Sequence, residues 1–409
     1  MHRVPAGDNA DLIELGDVSA EELHAAAARV RAEPGVLACI VGHSSLYVIR
    51  GERASHAPVV AREPREMRVR VAFDGPDLPE QISIERLAGM RLTVRYLGFR
   101  GRFAYLDGWP DERAMPRRPT SRPVARGSFA VAGNVAGFYP IDTPGGWNLL
   151  GHTDADLEHA LIPGDVLVIE PVSELGWPPP AVAVPASLTT AVNPPDWSRV
   201  ERGLPPGGPF DDIAAAVAMS AVRGDVELLE CAMVGPRLRF SRDRVIAWCT
   251  PDLAVRVEHV HAGVERTFGR IEGGLRAYLA MGDGGPDAIS VPIEAKRAGD
   301  SHVIRVLPGP HDVGLREIEC EVTPQLNRVG IRLRPLGELR ARIPGDLRSI
   351  GMQCGTVQLH PDGSLVAMGP DHPVTGGYLQ PMTVITGERW KLAQLVPGER
   401  VRFLYEPNE

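Results

Sequence analysis

The chain has 409 residues, too many for one ordinary core, and 44% of them are apolar, so two or three domains with well-filled interiors are expected. Charged residues make up 23% and the formal net charge is -8, which excludes a disordered chain and gives no basic face for nucleic acid or an anionic membrane. Five scattered cysteines without a CxxC pair read as reduced thiols and supply no zinc framework. With no signal pattern and no apolar run of membrane length, the sequence reads as that of a soluble, cytoplasmic protein.

Residues 1–62 read as a small α/β unit. Ala10–Leu15 is a short strand, and Ser19 with Glu22 three residues later forms a capping box that opens a helix over Ala20–Ala32. Pro34-Gly35 ends that helix, and Val36–Val41 and Ser45–Ile49 follow as strands. From residue 63 the apolar period changes to two, in Met67–Phe73 and Arg91–Tyr96, with a helix expected between them over Ser83–Met90. Short strands and Gly/Pro turns then continue to Ile162–Glu170 (IPGDVLVIE), which implies a barrel or sandwich over residues 63–173 and not a doubly wound sheet. Arg117, Arg118, Arg122 and Arg126 either face an anionic substrate or form a solvated loop.

Residues 174–186 (ELGWPPPAVAVPA) read as a stiff, extended linker. Beyond it, residues 187–409 carry a helix at Ile213–Val222 and strands at Val226–Ala232, Arg237–Phe240, Val245–Cys249, Leu275–Met281, Val303–Val306 and Ile331–Leu333. A hairpin then turns at Pro361-Asp362-Gly363, where Pro presets φ and Gly accepts a positive one. Its strands are Gly355–Leu359 and Leu365–Met368, with a third near Thr383–Thr386. The halves share endings (IPGDVLVIE and VPGERVRFLYE) and a preceding Gly-Gly element (PGGW at 144–147, TGGY at 375–378), which points to an internal duplication.

No phosphate-binding glycine loop, GxSxG elbow or HExxH motif is present. The chemistry therefore has to come from dispersed groups. In the loop DHPVTGGY, Asp371, His372, Thr375 and Tyr378 surround Gly376 and Gly377; Lys391 follows downstream. The loop reads either as a site or as a well-made hairpin whose His372 caps a carbonyl. Tyr105, Arg117, Arg118, Asn134, Tyr139 and His152 are the N-terminal candidates, although a lone histidine such as His152 is more often structural. An imidazole, a carboxylate and a lysine suffice to hold a carbonyl compound, move a proton and stabilise an oxyanion, with backbone N–H donors from Gly145-Gly146 and Gly376-Gly377.

Taken as whole segments, LGFRGRFAYLDG, MPRRPTSRPVARGSFAVAGNVAGFYPIDTPGGWNLLGHT and PGDVLVIEP resemble the first subunit of bacterial 5-oxoprolinase and of allophanate-hydrolase-subunit-1-type proteins. ELLECAMVGPRLRF, GLRAYLAMGDGG and GTVQLHPDGSLVAMGPDHPVTGGY resemble its partner subunit, in family order on one chain. The pair is also similar to the carboxyltransferase domain of urea carboxylase. The resemblance implies a mainly β fold with accessory α/β parts, two cyclophilin-like β-barrels in tandem, and a site between them. It implies a hydrolase that completes ATP-dependent opening of 5-oxoproline, or a carboxyltransferase-like step on an amide. This chain then binds no cofactor, and a separate lactam-activating subunit supplies ATP, or biotin in the carboxylase case. Asp371, His372, Tyr378 and Lys391 become the expected catalytic groups, with His372 moving a proton and Lys391 stabilising charge. Tyr105, Arg117, Arg118, Asn134, Tyr139, Gly145, Gly146, Asn327, Thr375, Gly376 and Gly377 become the expected substrate contacts. The family's Asp-Arg-Met-Gly stretch is Asn327-Arg328-Val329-Gly330 here, and its Gln after the histidine is Pro373. Other readings are an ATP-independent enzyme of a specialised pathway and a non-catalytic binder, like members of the family that regulate a sensor histidine kinase. A homo-oligomer is open.

Overall fold

The computed structural model describes residues 2–51, 63–99, 102–118, 120–157, 161–178, 188–283, 289–290, 295, 299–300, 302–311, 313–314, 317–337, 339 and 347–406. Most of the expected linker at 174–186 lies outside the described residues. No helix among the described residues is long and apolar enough to cross a membrane.

At the N-terminus, strands His2–Pro5, Ala10–Glu14, Ser45–Arg50 and Val36–Val41 form a four-stranded sheet in that spatial order. The helix Ala20–Arg31 starts at the expected capping box: Ser19 Oγ accepts from Glu22 N (3.2 Å), and Glu22 Oε2 accepts from Ser19 N (2.9 Å). Leu23, Ala26, Ala27 and Val30 form its buried stripe on one face of the sheet. The opposite face carries Leu12, Ile40, Tyr47 and Ile49, which pack against Ile350 and Val374 of the C-terminal half. The two halves are therefore joined through a shared core.

The first barrel closes seven strands in the order Val135–Phe138, Phe103–Asp107, Arg91–Gly98, Val166–Val172, Glu66–Ala72, Asn148–His152 and Ser128–Ala132. Alternation places Val69, Val71, Leu92, Val94, Phe129, Val131, Leu167 and Ile169 inside. The expected helix Ser83–Met90 is only a 3-10 turn, Ile84–Leu87. Gly89 at φ +76° stops it, and the chain has to drop Leu87 into the core and regain a strand by Arg91.

The second half opens with a five-stranded sheet in the order Thr189–Val192, Val226–Ala232, Arg276–Asp283, Arg244–Cys249 and Val255–Val260. The helix Asp212–Ser220 packs on it, capped by Asp211, whose carboxylate accepts from Ala214 N at 3.0 Å. The second barrel also closes seven strands: Val303–Pro308, Leu379–Val384, Thr356–Leu359, Leu365–Met368, Gly330–Pro335, Glu317–Leu326 and Arg400–Tyr405. The turn at Pro361-Asp362-Gly363 forms as expected, with Gly363 at φ +80°. The third strand of that region starts earlier than expected and ends at Val384, because a 3-10 turn at Thr386–Glu388 leads into the helix Arg389–Gln394.

In both halves a sheet with one helix precedes a seven-stranded barrel. Each barrel is closed by its last strand lying parallel to its first, from Glu66↔Val166 to Ala72↔Val172 and from Val303↔Arg402 to Val306↔Tyr405. The similar endings noted in the sequence are these closing strands.

A candidate active site between the barrels

The barrels meet around a cavity of about 360 Å³ lined from both sides. The first barrel supplies an aromatic wall of Phe99, Phe103, Tyr105, Tyr139 and Trp147. Phe103 lies at its centre, with ring centroids 4.9 Å from Tyr105, 5.2 Å from Tyr139 and 5.1 Å from Trp147, all edge-to-face. The second barrel supplies Arg332, Met352, Gln358, His360 and the loop 375–378. Two contacts tie the seam: Phe99 N donates to Thr375 Oγ1 at 2.8 Å, and Arg117 Nη1 donates to Gly377 O at 3.2 Å. The Arg117 guanidinium also sits over the Tyr378 ring, 5.6 Å from its centroid.

Both Gly-Gly elements line this one cavity. A Cβ at Gly376 would stand 2.6 Å from Gln358 Nε2, and one at Gly145 would run into the Tyr139 ring. These positions are glycine because neighbouring side chains approach the backbone too closely for anything larger.

The polar groups on the second-barrel side follow from strand alternation. Val357 and Leu359 point into the barrel core, so Gln358 and His360 must point out, toward the seam. Gln358 is buried and its Nε2 has no hydrogen-bond partner; the same is true of His360 Nε2. Burial, and then the Arg332 charge, push the His360 imidazole down to about 4, so it is neutral at pH 7. Its ring lies 4.3 Å from that of Tyr378. Arg332 is engaged by Asp362 at 2.9 Å and by Ser364 Oγ at 2.5 Å. Burial pushes the Tyr139 phenol up, so it remains protonated and able to donate. An aromatic wall facing the unpaired Gln358 amide and a neutral His360 nitrogen suits a small molecule with an apolar body and a carbonyl or carboxylate edge.

Of the residues expected at the site, Tyr105, Arg117, Tyr139, Gly145, Gly146, Asn327, Thr375, Gly376, Gly377 and Tyr378 all line the cavity. The others are placed outside the lining of this cavity. His372 is 2% exposed and its Nδ1–H donates to Pro373 O at 2.8 Å; it caps a carbonyl and does not reach the cavity. Lys391, expected to stabilise charge, is also 2% exposed, with Nζ donating to Val303 O at 2.7 Å and paired with Glu388 at 3.2 Å. Asp371 is clasped by Arg328 through bonds of 2.8 and 3.1 Å. That arginine also pairs with the buried Glu230 at 2.8 Å, so the carboxylate serves to hold barrel to sheet. Arg118 donates to Asp77 at 2.9 Å, and Arg122 pairs with the same carboxylate. Asn134 donates to Asp111 at 2.8 Å and lines an adjoining hollow of about 330 Å³, which shares Tyr105, Arg117 and Trp147 with the cavity. His152 is buried between Asp74 and the Leu175 carbonyl, 2.9 Å from each. The groups that sequence reasoning missed are Gln358, His360, Phe99, Phe103 and Trp147. Period-two alternation in TVQLH marks the first two.

Residues 1–159 match the family described as carboxyltransferase domain, subdomain C and D, and residues 202–291 and 286–405 match carboxyltransferase domain, subdomain A and B. The 5-oxoprolinase B subunit of Bacillus subtilis is 32% identical over 191 residues, 36% of this chain and 80% of that protein. The chain belongs to the 5-oxoprolinase/carboxyltransferase-domain family. Within it, both carboxyltransferase segments lie on a single polypeptide. A putative urea carboxylase of Emericella nidulans is 25% identical over 283 residues, 51% of this chain but 23% of that protein. The crystal structure of TTHA0988 is 25% identical and covers 98% of this chain and 100% of its own, with a TM-score of 0.77. The fold described above is thus shared with that solved structure over nearly the whole length of both chains.

Proposed function

We propose that the chain is the catalytic component of a 5-oxoprolinase-like or carboxyltransferase-like enzyme, acting on a small amide, lactam or carboxylate held between the barrels. The observation that carries this reading is the shared cavity itself: both Gly-Gly loops, an aromatic wall and the unpartnered Gln358 and His360 nitrogens converge on it. The aromatic wall covers the apolar face of a small ring. Gln358 Nε2 donates to its carbonyl oxygen, and Arg117 is the cation nearest a carboxylate. Donors already fixed and desolvated favour charge that develops on a carbonyl oxygen, because they need no reorganisation when it forms.

The charged groups lining the cavity are Arg117 and Arg332, the latter already engaged by Asp362. That matches one carboxylate and is a poor match to a triphosphate. ATP use therefore belongs on a separate lactam-activating subunit, in keeping with relatives that are themselves single subunits of a 5-oxoprolinase, or a biotin-borne carboxyl group arrives from a separate carrier. A second reading, binding without chemistry, is favoured by one fact: Asp371, His372 and Lys391 are all used structurally.

The test combines calorimetry of 5-oxoproline binding to the full chain with 5-oxoproline-dependent ATP hydrolysis in the presence of a lactam-activating subunit. Stimulated hydrolysis, reduced at least tenfold by Gln358→Ala, is expected. Binding without stimulation establishes the second reading, and neither binding nor stimulation at millimolar 5-oxoproline overturns the assignment to this substrate.

A further inference from the structure

Away from the barrels, the five-stranded sheet gathers Asp243, His259 and His261 at one end of the hairpin Arg244–Cys249/Val255–Val260. The register explains why. Arg244 pairs with Val260 and Val245 with His259, so Asp243 stands opposite His261 and all three side chains share one face. Their potential ligand atoms lie within 4.8 Å of one another, with Asp243 Oδ2 3.1 Å from His261 Nδ1 and 3.9 Å from His259 Nε2.

Two features are not accounted for by a cross-strand ion pair. His259 Nε2 is shielded from solvent and makes no hydrogen bond, which is an uncompensated cost for a buried ring nitrogen. The carboxylate is also pre-aimed. Asp243 Oδ1 accepts from Ala262 N at 2.9 Å, which turns Oδ2 toward both rings. An oriented carboxylate beside two imidazoles is the donor set of zinc-class divalent ions, and support of the carboxylate by a backbone amide is the outer-shell arrangement such sites use. Tetrahedral ligands at zinc distances lie roughly 3.4 Å apart. Asp243 and His261 already stand within that spacing at 3.1 Å, and Asp243 and His259 exceed it only slightly at 3.9 Å, while His261, whose side chain is 71% exposed, has room to adjust to an ion.

We propose that Asp243, His259 and His261 form a three-ligand site for a zinc-class divalent cation, with a fourth position left to water. Two imidazoles with one carboxylate select imidazole-preferring ions over magnesium. Zinc titration of the metal-stripped full chain by calorimetry tests this, alongside His261→Ala and Asp243→Asn. His261→Ala alters only an exposed side chain, and circular dichroism checks that both variants retain the fold. One zinc per chain is expected, weakened at least tenfold in each variant and not displaced by millimolar magnesium. A zinc-dependent rise in melting temperature is expected for the wild type only. The proposal is overturned if the wild type shows no saturable zinc binding, or if affinity and stoichiometry are unchanged in His261→Ala.

Discussion

Replacing His372 with glutamine separates a structural imidazole from a catalytic one. The ring is fully enclosed, and burial pushes it down to about 4 from an ordinary value near 6.5. The folded protein therefore keeps His372 neutral while the unfolded chain takes up a proton as the pH drops below 6.5. Stability from this residue is fully present above pH 6.5, declines as the pH falls, and levels off near 4. At pH 5 the loss is about 2 kcal/mol, from roughly 1.5 pH units at about 1.36 kcal/mol each. Glutamine keeps a neutral donor for the Pro373 carbonyl but cannot titrate. Urea unfolding at pH 7, 6 and 5, followed by circular dichroism, is expected to show His372→Gln losing about 2 kcal/mol less than wild type on acidification. His43 and His360, also pushed down to about 4, contribute to both curves and cancel in the comparison. Parallel curves for the two proteins would refute the reasoning. A fall in turnover on the order of a hundredfold or more would return His372 to a proton-transfer role.

Gly376→Ala places a methyl group 2.6 Å from Gln358 Nε2, inside the cavity wall; ligand affinity by calorimetry is expected to fall at least tenfold with circular dichroism unchanged. Thr375→Val removes the acceptor for the half-buried Phe99 amide across the seam, a cost of about 1 kcal/mol. Hydrogen exchange at Phe99 is expected to accelerate while exchange in the N-terminal helix does not.

Much of the fold was legible because the sequence states it locally. The capping box at Ser19 and Glu22, the Pro-Asp-Gly turn and the exact range of Val226–Ala232 all follow from residues a few positions apart. The two similar endings pointed to two halves of related plan, but not to each closing strand pairing in parallel with a strand some hundred residues earlier. The helix expected at Ser83–Met90 failed because tertiary need overrode a local pattern. The site was legible as two glycine loops and illegible as chemistry. A histidine beside an aspartate looks reactive on paper, yet Asp371 is claimed by Arg328, and His372 by a carbonyl one residue away. Gln358 and His360 looked like ordinary hairpin residues until the inward turn of Val357 and Leu359 fixed their direction.

The parallel closure of each barrel has a consequence for biosynthesis. Val303–Pro308 has an open flank until Arg400–Tyr405 is available to cover it, and the same holds for Glu66–Ala72 and Val166–Val172. Neither barrel can zip up progressively behind the ribosome; each must wait for its final strand, with a hydrogen-bonding edge exposed meanwhile. The hollow at the seam, needing walls from both barrels, comes into being only after the second of these late events. A nascent chain lacking Arg400–Tyr405 would be an aggregation-prone intermediate with no binding capability.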